Sequence, residues 1–202
     1  MKIQDTKSDK KDTLKLILAS NSPRRKKILS DMGLEFNIIP SNYDEKLKDD
    51  IFSYEKIEDL ATQKCLDVFR RVNEHSVILA ADTVVVLHNK ILGKPHTKDA
   101  AFDMLKQLSG CTHSVVTSTC GINKHLNCAA TVSTTSYVRF TNWTDDMIHY
   151  YIDTYNPLDK AGSYGIQELP EGYLDKYEGS FENIVGLSPD AVNVVLKQIK
   201  YN

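Results

Sequence analysis

Asp82 stands where a carboxylate is costly. Residues 77–87 are apolar at all but two positions, and the run is short and rich in β-branched side chains. It reads as a strand buried on both faces and not as a membrane span. An ionised carboxylate there is strongly disfavoured unless a cation or hydrogen-bond donors meet it. Asp82 therefore either ends the buried part of the strand and looks into a cleft, or pairs with a buried base. The cleft is the favoured reading, because carboxylates at strand breaks are common catalytic groups. Ser20, Arg24, Arg25, Lys64, Lys94 and Lys160 are the donors and cations elsewhere in the chain, and Glu45, with Asp44 beside it, adds to the acids. Many cations with a few carboxylates suit a triphosphate plus a divalent metal: bases for the phosphate oxygens, acids for Mg²⁺ or Mn²⁺. No Walker A sequence is present, so a P-loop is excluded.

The elements that must position these groups can be read from pattern. A short strand over residues 14–18 runs into Ala19-Ser20-Asn21-Ser22-Pro23-Arg24-Arg25. Ser22 suits an N-cap and Pro23 the first helical position, with Ile28, Leu29 and Met32 as the apolar stripe and Gly33 as the stop. Free N–H groups, the helix dipole and two guanidiniums favour an anion at that end. The plainer alternative is a capped helix with a solvated basic face. It leaves arginines in the first turn unexplained, where the dipole disfavours cations.

A second strand is expected over residues 36–39, then a helix over residues 54–72. Lys64 falls on the apolar stripe of that helix, so it either snorkels at the edge or projects into a cleft. His88-Asn89-Lys90 turns the central strand into a hairpin, and Gly93 and Pro95 fix the backbone around Lys94. Thr97 caps another helix. Strands follow over residues 113–122 and 129–140, the second half-exposed, and Thr144 caps a helix broken at Asn156-Pro157. The segment 159–167 is loop-like, with Lys160 near its start and the Gln167 amide, one acceptor and two donors, at its end. Ser188-Pro189 starts the last helix. The element order implies an α/β fold with a mixed, twisted sheet and flanking helices.

Composition narrows the partners. A formal charge of −2 gives no long-range pull toward nucleic acid or an anionic membrane. Residues 1–13 are polar and lysine-rich with no apolar core, so they read as a disordered extension and not as a signal peptide, and residues 14–202 as a single catalytic domain. Cys65, Cys111, Cys120 and Cys128 have no CxxC spacing and the histidines no HExxH pair, which argues for reduced core thiols in a cytoplasmic protein.

Several blocks carry a resemblance. Residues 16–25 (LILASNSPRR), Ala81-Asp82-Thr83-Val84-Val85, Gly93-Lys94-Pro95, Leu108-Ser109-Gly110, Asp159-Lys160-Ala161-Gly162, Tyr164-Gly165-Ile166-Gln167 and Asn183-Ile184-Val185-Gly186-Leu187 resemble, in order, the Maf nucleoside triphosphate pyrophosphatases. The resemblance spans nearly the whole chain. It implies two lobes around a central cleft and cleavage of a nucleoside triphosphate to monophosphate and pyrophosphate. It implies Asp82 as general base and, with Glu45, as metal ligand; Ser20, Arg24, Arg25 and Lys94 on phosphates; Lys64 beside them; and Arg24, Thr83 and Gln167 in base selection.

The Asp-Lys-Ala-Gly and Gly-Ile-Gln blocks look like the branch acting on dTTP and UTP, with a divalent metal as cofactor. Cys65 stands where alanine is usual, and residues 168–172 read as an insert. A nucleotide-binding regulator of cell division with little turnover remains the rival, as does a pyrophosphatase of modified purines. A homodimer is compatible with the sequence.

Overall fold

The apolar run around Asp82 becomes the centre of the sheet. The computed structural model describes residues 14–44 and 49–201, so the expected N-terminal extension and Glu45 lie outside the described residues. In chain order the elements are β1 (Lys15–Leu18), α1 (Pro23–Asp31), β2 (Asn37–Ile38), α2 (Tyr54–Phe69), β3 (Ser76–Leu87), β4 (Lys90–Leu92), α3 (Lys98–Leu108), β5 (Thr112–Asn123), β6 (Cys128–Phe140), α4 (Asp145–Tyr155), short 3₁₀ turns between Pro157 and Glu168, β7 (Leu174–Glu178), α5 (Phe181–Val185) and α6 (Pro189–Gln198). The sheet has seven strands in the order β2-β1-β3-β5-β6-β7, with β4 also on β3. β1 is parallel to β2 and β3, and the other pairings are antiparallel.

One feature of this pairing makes the cleft. On one side β3 is zipped to β5 from Val77 to Val86. On the other, β1 pairs only with Ser76–Leu79 and β4 only with Val85–Leu87. Residues 80–84 therefore have no strand neighbour on that edge among the described residues. There β1 turns away through Ala19 into α1, which opens the sheet beside Asp82. This is the strand-end crevice at which α/β sheets bind ligands.

The strand period then sorts the side chains. Ile78, Ala80, Val84 and Val86 face α2, packing on Ala61, Cys65, Val68, Ile57 and Leu60, and Asp82 shares that face. Val77, Leu79 and Ala81 face α1 and α6, and Thr83 shares that face. Each fully buried Val, Leu or Ile contributes about 1.5–3 kcal/mol, so these packed faces fix the register that aims both polar side chains. A third core, beyond the cleft, is rich in aromatics: Phe140 stacks on Trp143, and Tyr164 meets Phe140 edge-on.

Local chemistry follows the sequence closely. Ser22, Ser53, Thr97, Thr144 and Ser188 each accept a backbone N–H from the third residue of the helix they cap, worth about 1 kcal/mol apiece. His88 and Asn89 both have positive φ, the two-residue hairpin geometry that matches strand twist. The helix expected over 54–72 ends at Phe69, where Arg70 caps it, and the strand expected over 36–39 shrinks to Asn37–Ile38. The four cysteines are free thiols; Cys65 and Cys120 are buried together beneath α2, and Cys111 and Cys128 are half-buried. No helix among the described residues is long and apolar enough to cross a membrane.

Candidate active site

A cleft of about 520 Å³ opens at the gap in the sheet. Nine of the ten residues singled out from the sequence line it: Ser20, Arg24, Arg25, Lys64, Asp82, Thr83, Lys94, Lys160 and Gln167. The tenth, Glu45, lies outside the described residues. Five segments distant in sequence thus converge: the β1–α1 loop, the middle of α2, the middle of β3, the turn after β4, and the loop 159–168.

Asp82 is buried, at 5% exposure, and its Oδ1 accepts a hydrogen bond from Lys64 Nζ. The strand stays buried past Asp82 as far as Leu87, so the carboxylate does not end its buried part; it looks into the cleft from within the strand and is paired with a buried base. Lys64 itself reaches inward from the apolar stripe of α2 and does not snorkel outward. With both side chains under 10% exposed, the pair is held in a medium of low dielectric where neither charge is dispensable.

Arg25 departs from a simple solvated helix face. Its Nε donates to the Gly186 carbonyl at 2.9 Å, Nη2 to Thr83 Oγ1 at 3.1 Å and Nη1 to Ser20 Oγ at 3.4 Å. Thr83 Oγ1 also meets Thr117 Oγ1 at 2.9 Å. The guanidinium therefore ties the α1 N-terminus to β3 and to the end of α5, and fixes the backbone N–H groups of that loop. Among the described residues the first turn of α1 holds no acid. Farther along, Lys27 is exposed and pairs with Asp31, which is the solvated face that the plainer reading expected.

Lys94 is exposed at the rim, on a turn held by Gly162 N–H donating to the Gly93 carbonyl at 3.0 Å. Gly162 has a φ of +65°, and a Cβ there would meet Val85 at 2.8 Å. Only glycine lets the 160–163 loop sit this tightly on β3. Lys160 is buried, with Asp159 and Glu168 at its ammonium. Gln167 is exposed at the cleft mouth, and residues 168–172 run on from it toward β7. Val85, Val115, Tyr164, Ile166 and Ile184 supply an apolar wall. Behind it, Tyr164 Oη meets His113 Nε2 at 2.7 Å, and burial holds that imidazole down to about 4, a backbone hydrogen bond at Cys111 opposing it weakly.

Two contributors to the site, and the strand β7 outside it, were not legible in the sequence. The Gly186 carbonyl was invisible because α5 has only five residues, too few for a periodic signal, although Ser180 caps it. β7 is short and mostly exposed, so it lacks an apolar run. Glu168 carried no motif.

Comparison with known proteins adds the following. A family model described as "Maf-like protein" matches residues 15–199. A protein named dTTP/UTP pyrophosphatase from Clostridium perfringens (strain SM101 / Type A) is 41% identical over 177 residues, covering 86% of this chain and 91% of its own. One of the same name from Caldicellulosiruptor bescii is 39% identical over 191 residues, 93% of this chain and 96% of its own. A third, from Alkaliphilus oremlandii, is 38% identical over 182 residues, with 90% and 94% covered. Among solved structures, a nucleoside-triphosphatase / dITP/XTP pyrophosphatase from Mycobacterium abscessus aligns with a TM-score of 0.43 at 15% identity, over 62% of this chain and 72% of that one, a likeness too distant to carry weight.

Proposed function

The chain belongs to the Maf family, and we propose that its cleft hydrolyses dTTP and UTP to the monophosphate and pyrophosphate. The observation that carries the reading is the convergence of nine cationic, hydroxylic, amide and acidic side chains from five segments on one cleft. The chemistry is attack of water on the α-phosphorus: a P–O bond forms to water, the bond to the β,γ-diphosphate breaks, and pyrophosphate leaves.

In this reading Asp82 orients the water and accepts its proton, since it is the carboxylate at the gap in the sheet. Lys64 holds that carboxylate in place through its hydrogen bond to Oδ1. The triphosphate lies against the α1 N-terminus, where backbone N–H groups and Arg24 meet its oxygens. Arg25 organises that loop through Gly186 and Thr83 while keeping positive charge beneath it. Lys94, on a tethered but exposed turn, neutralises charge developing on the leaving pyrophosphate. The nucleoside is directed toward the apolar wall and Gln167.

A divalent cation fits this donor set in one mode. Among the described residues no group of three or more His, Cys, Asp or Glu could cage a metal. Mg²⁺ and Mn²⁺ with nucleotides commonly use one or two carboxylates, phosphate oxygens and water instead. Asp82 would hold the ion, with Glu45 as the second carboxylate. When bound it supplies Lewis-acid neutralisation of phosphoryl charge. A reaction on free nucleotides fits the cytoplasmic location expected from the sequence.

Product analysis tests the reading. Incubated with dTTP or UTP and Mg²⁺, the protein is expected to release monophosphate and pyrophosphate one for one. Release of diphosphate and orthophosphate refutes it.

A further inference from the structure

Lys160 is flanked by two carboxylates, which makes it a poor phosphate ligand. Its Nζ lies 3.0 Å from Asp159 Oδ1 and 3.2 Å from Glu168 Oε2, with its own side chain 9% exposed. Burial alone would push Asp159 up, but the hydrogen bond and charge of Lys160, aided by Arg24, outweigh it and hold that carboxyl below the usual range. One lysine against two carboxyl groups gives the trio a net negative formal charge, which repels a triphosphate and suits a neutral group bearing a donor.

The two contacts differ in kind. Lys160 donates an aligned hydrogen bond to Asp159. Glu168 Oε2 has the ammonium at ion-pair distance, yet it is buried with no donor aligned on it. A buried acceptor without a donor is costly, and native sites rarely leave one unfilled without reason. The two contacts also use at most two of the three N–H groups of Lys160. Gly165 permits this crowding, since a Cβ there would come within 3.2 Å of both Glu168 Oε2 and Lys160 Cε. Glu168 directly follows Gln167 on one 3₁₀ turn, and Lys160, Gln167 and Glu168 all line the cleft.

We propose that Glu168 is a specificity-determining residue, its carboxylate accepting the N3–H of uracil or thymine. The inference rests on the pyrimidine triphosphate reading above and deepens it. Uracil and thymine present an acceptor–donor–acceptor edge. Lys160 N–H, Glu168 carboxylate and Gln167 amide N–H present the complement, donor–acceptor–donor. Cytosine puts a lone pair at N3, which would face the carboxylate, so two acceptors meet and the shielded Glu168 Oε2 gains no donor, which disfavours the mismatched base. The 5-methyl group lies off this edge, so the uracil and thymine nucleotides are accepted alike.

The test is kcat/KM for UTP, dTTP and CTP with the wild type, Glu168→Gln and Glu168→Ala. Loss of the carboxylate is expected to lower the UTP/CTP and dTTP/CTP ratios about tenfold or more. The isosteric Glu168→Gln, which can turn an N–H toward cytosine N3, is expected to raise CTP turnover in absolute terms. If Glu168 merely orders Lys160, all three substrates fall together and the ratios stay at wild-type values; that overturns the proposal. A wild type that releases no pyrophosphate from UTP or dTTP overturns the substrate reading itself, a result separable from unchanged ratios in an active enzyme.

Discussion

Removing both members of the Lys64–Asp82 pair should destabilise the protein by less than the two single removals added together. The two side chains are 9% and 7% exposed, so deleting either leaves the other charge poorly solvated. Breaking a buried pair from one side costs about 3–5 kcal/mol. Because both groups line a cleft that admits water, the lower end, about 3 kcal/mol, applies to Lys64→Met and to Asp82→Asn alike. For a chain of this size that is a fall in Tm of roughly 6–12 °C, at about 2–4 °C per kcal/mol. The double variant leaves no orphaned charge, so its cost should fall short of the sum by about 1–3 kcal/mol. Urea denaturation of the four proteins closes the cycle, with equal m-values required for the comparison. Single effects that add to within about 0.5 kcal/mol would refute the argument that each charge depends on the other.

Three further outcomes follow from particular contacts. His113 is 2% exposed and held at about 4 by burial. Between about pH 6.5 and pH 4 the unfolded chain binds a proton that the folded one does not, so its contribution is fully present above pH 6.5 and lost as pH falls toward 4. Going from pH 7 to pH 4.5, wild type should lose about 2–3 kcal/mol more than His113→Gln; parallel losses in both proteins would dissociate the histidine from acid sensitivity. Arg25→Ala should weaken triphosphate and pyrophosphate binding by about 1.5–3 kcal/mol and also lower stability, because its bonds to Gly186 and Thr83 are lost; unchanged pyrophosphate inhibition would return it to a structural tie alone. Gln167→Ala should flatten the wild-type ranking of dTTP and UTP over CTP and 7-methyl-GTP, measured as kcat/KM, and a variant that keeps the ranking removes the amide from base recognition.

The parts of the fold legible in the sequence were those written in local chemistry. Ser22-Pro23, Thr97, Thr144 and Ser188-Pro189 mark helix starts by hydrogen-bond capping alone, and the apolar run around Asp82 marks the central strand. Asp82 and Lys64 could be singled out because each breaks an apolar pattern, although the bond between them is a property of packing. The network around Arg25 was not legible: its Gly186 partner is 161 residues away and is a carbonyl, which every residue possesses. The same holds for the gap along residues 80–84, which depends on how far β1 and β4 extend beside β3. The resemblance supplied roles for Thr83 and Gln167 that residue type alone could not.

The central claim is that Asp82 serves hydrolysis at the α-phosphorus in this cleft, and Asp82→Asn measures it most directly. Pyrophosphate release from dTTP and UTP should fall about 10²–10⁴-fold in the variant, while the folded protein still binds a non-hydrolysable nucleotide analogue. Turnover within a few-fold of wild type, in a variant that binds normally, would contradict the account.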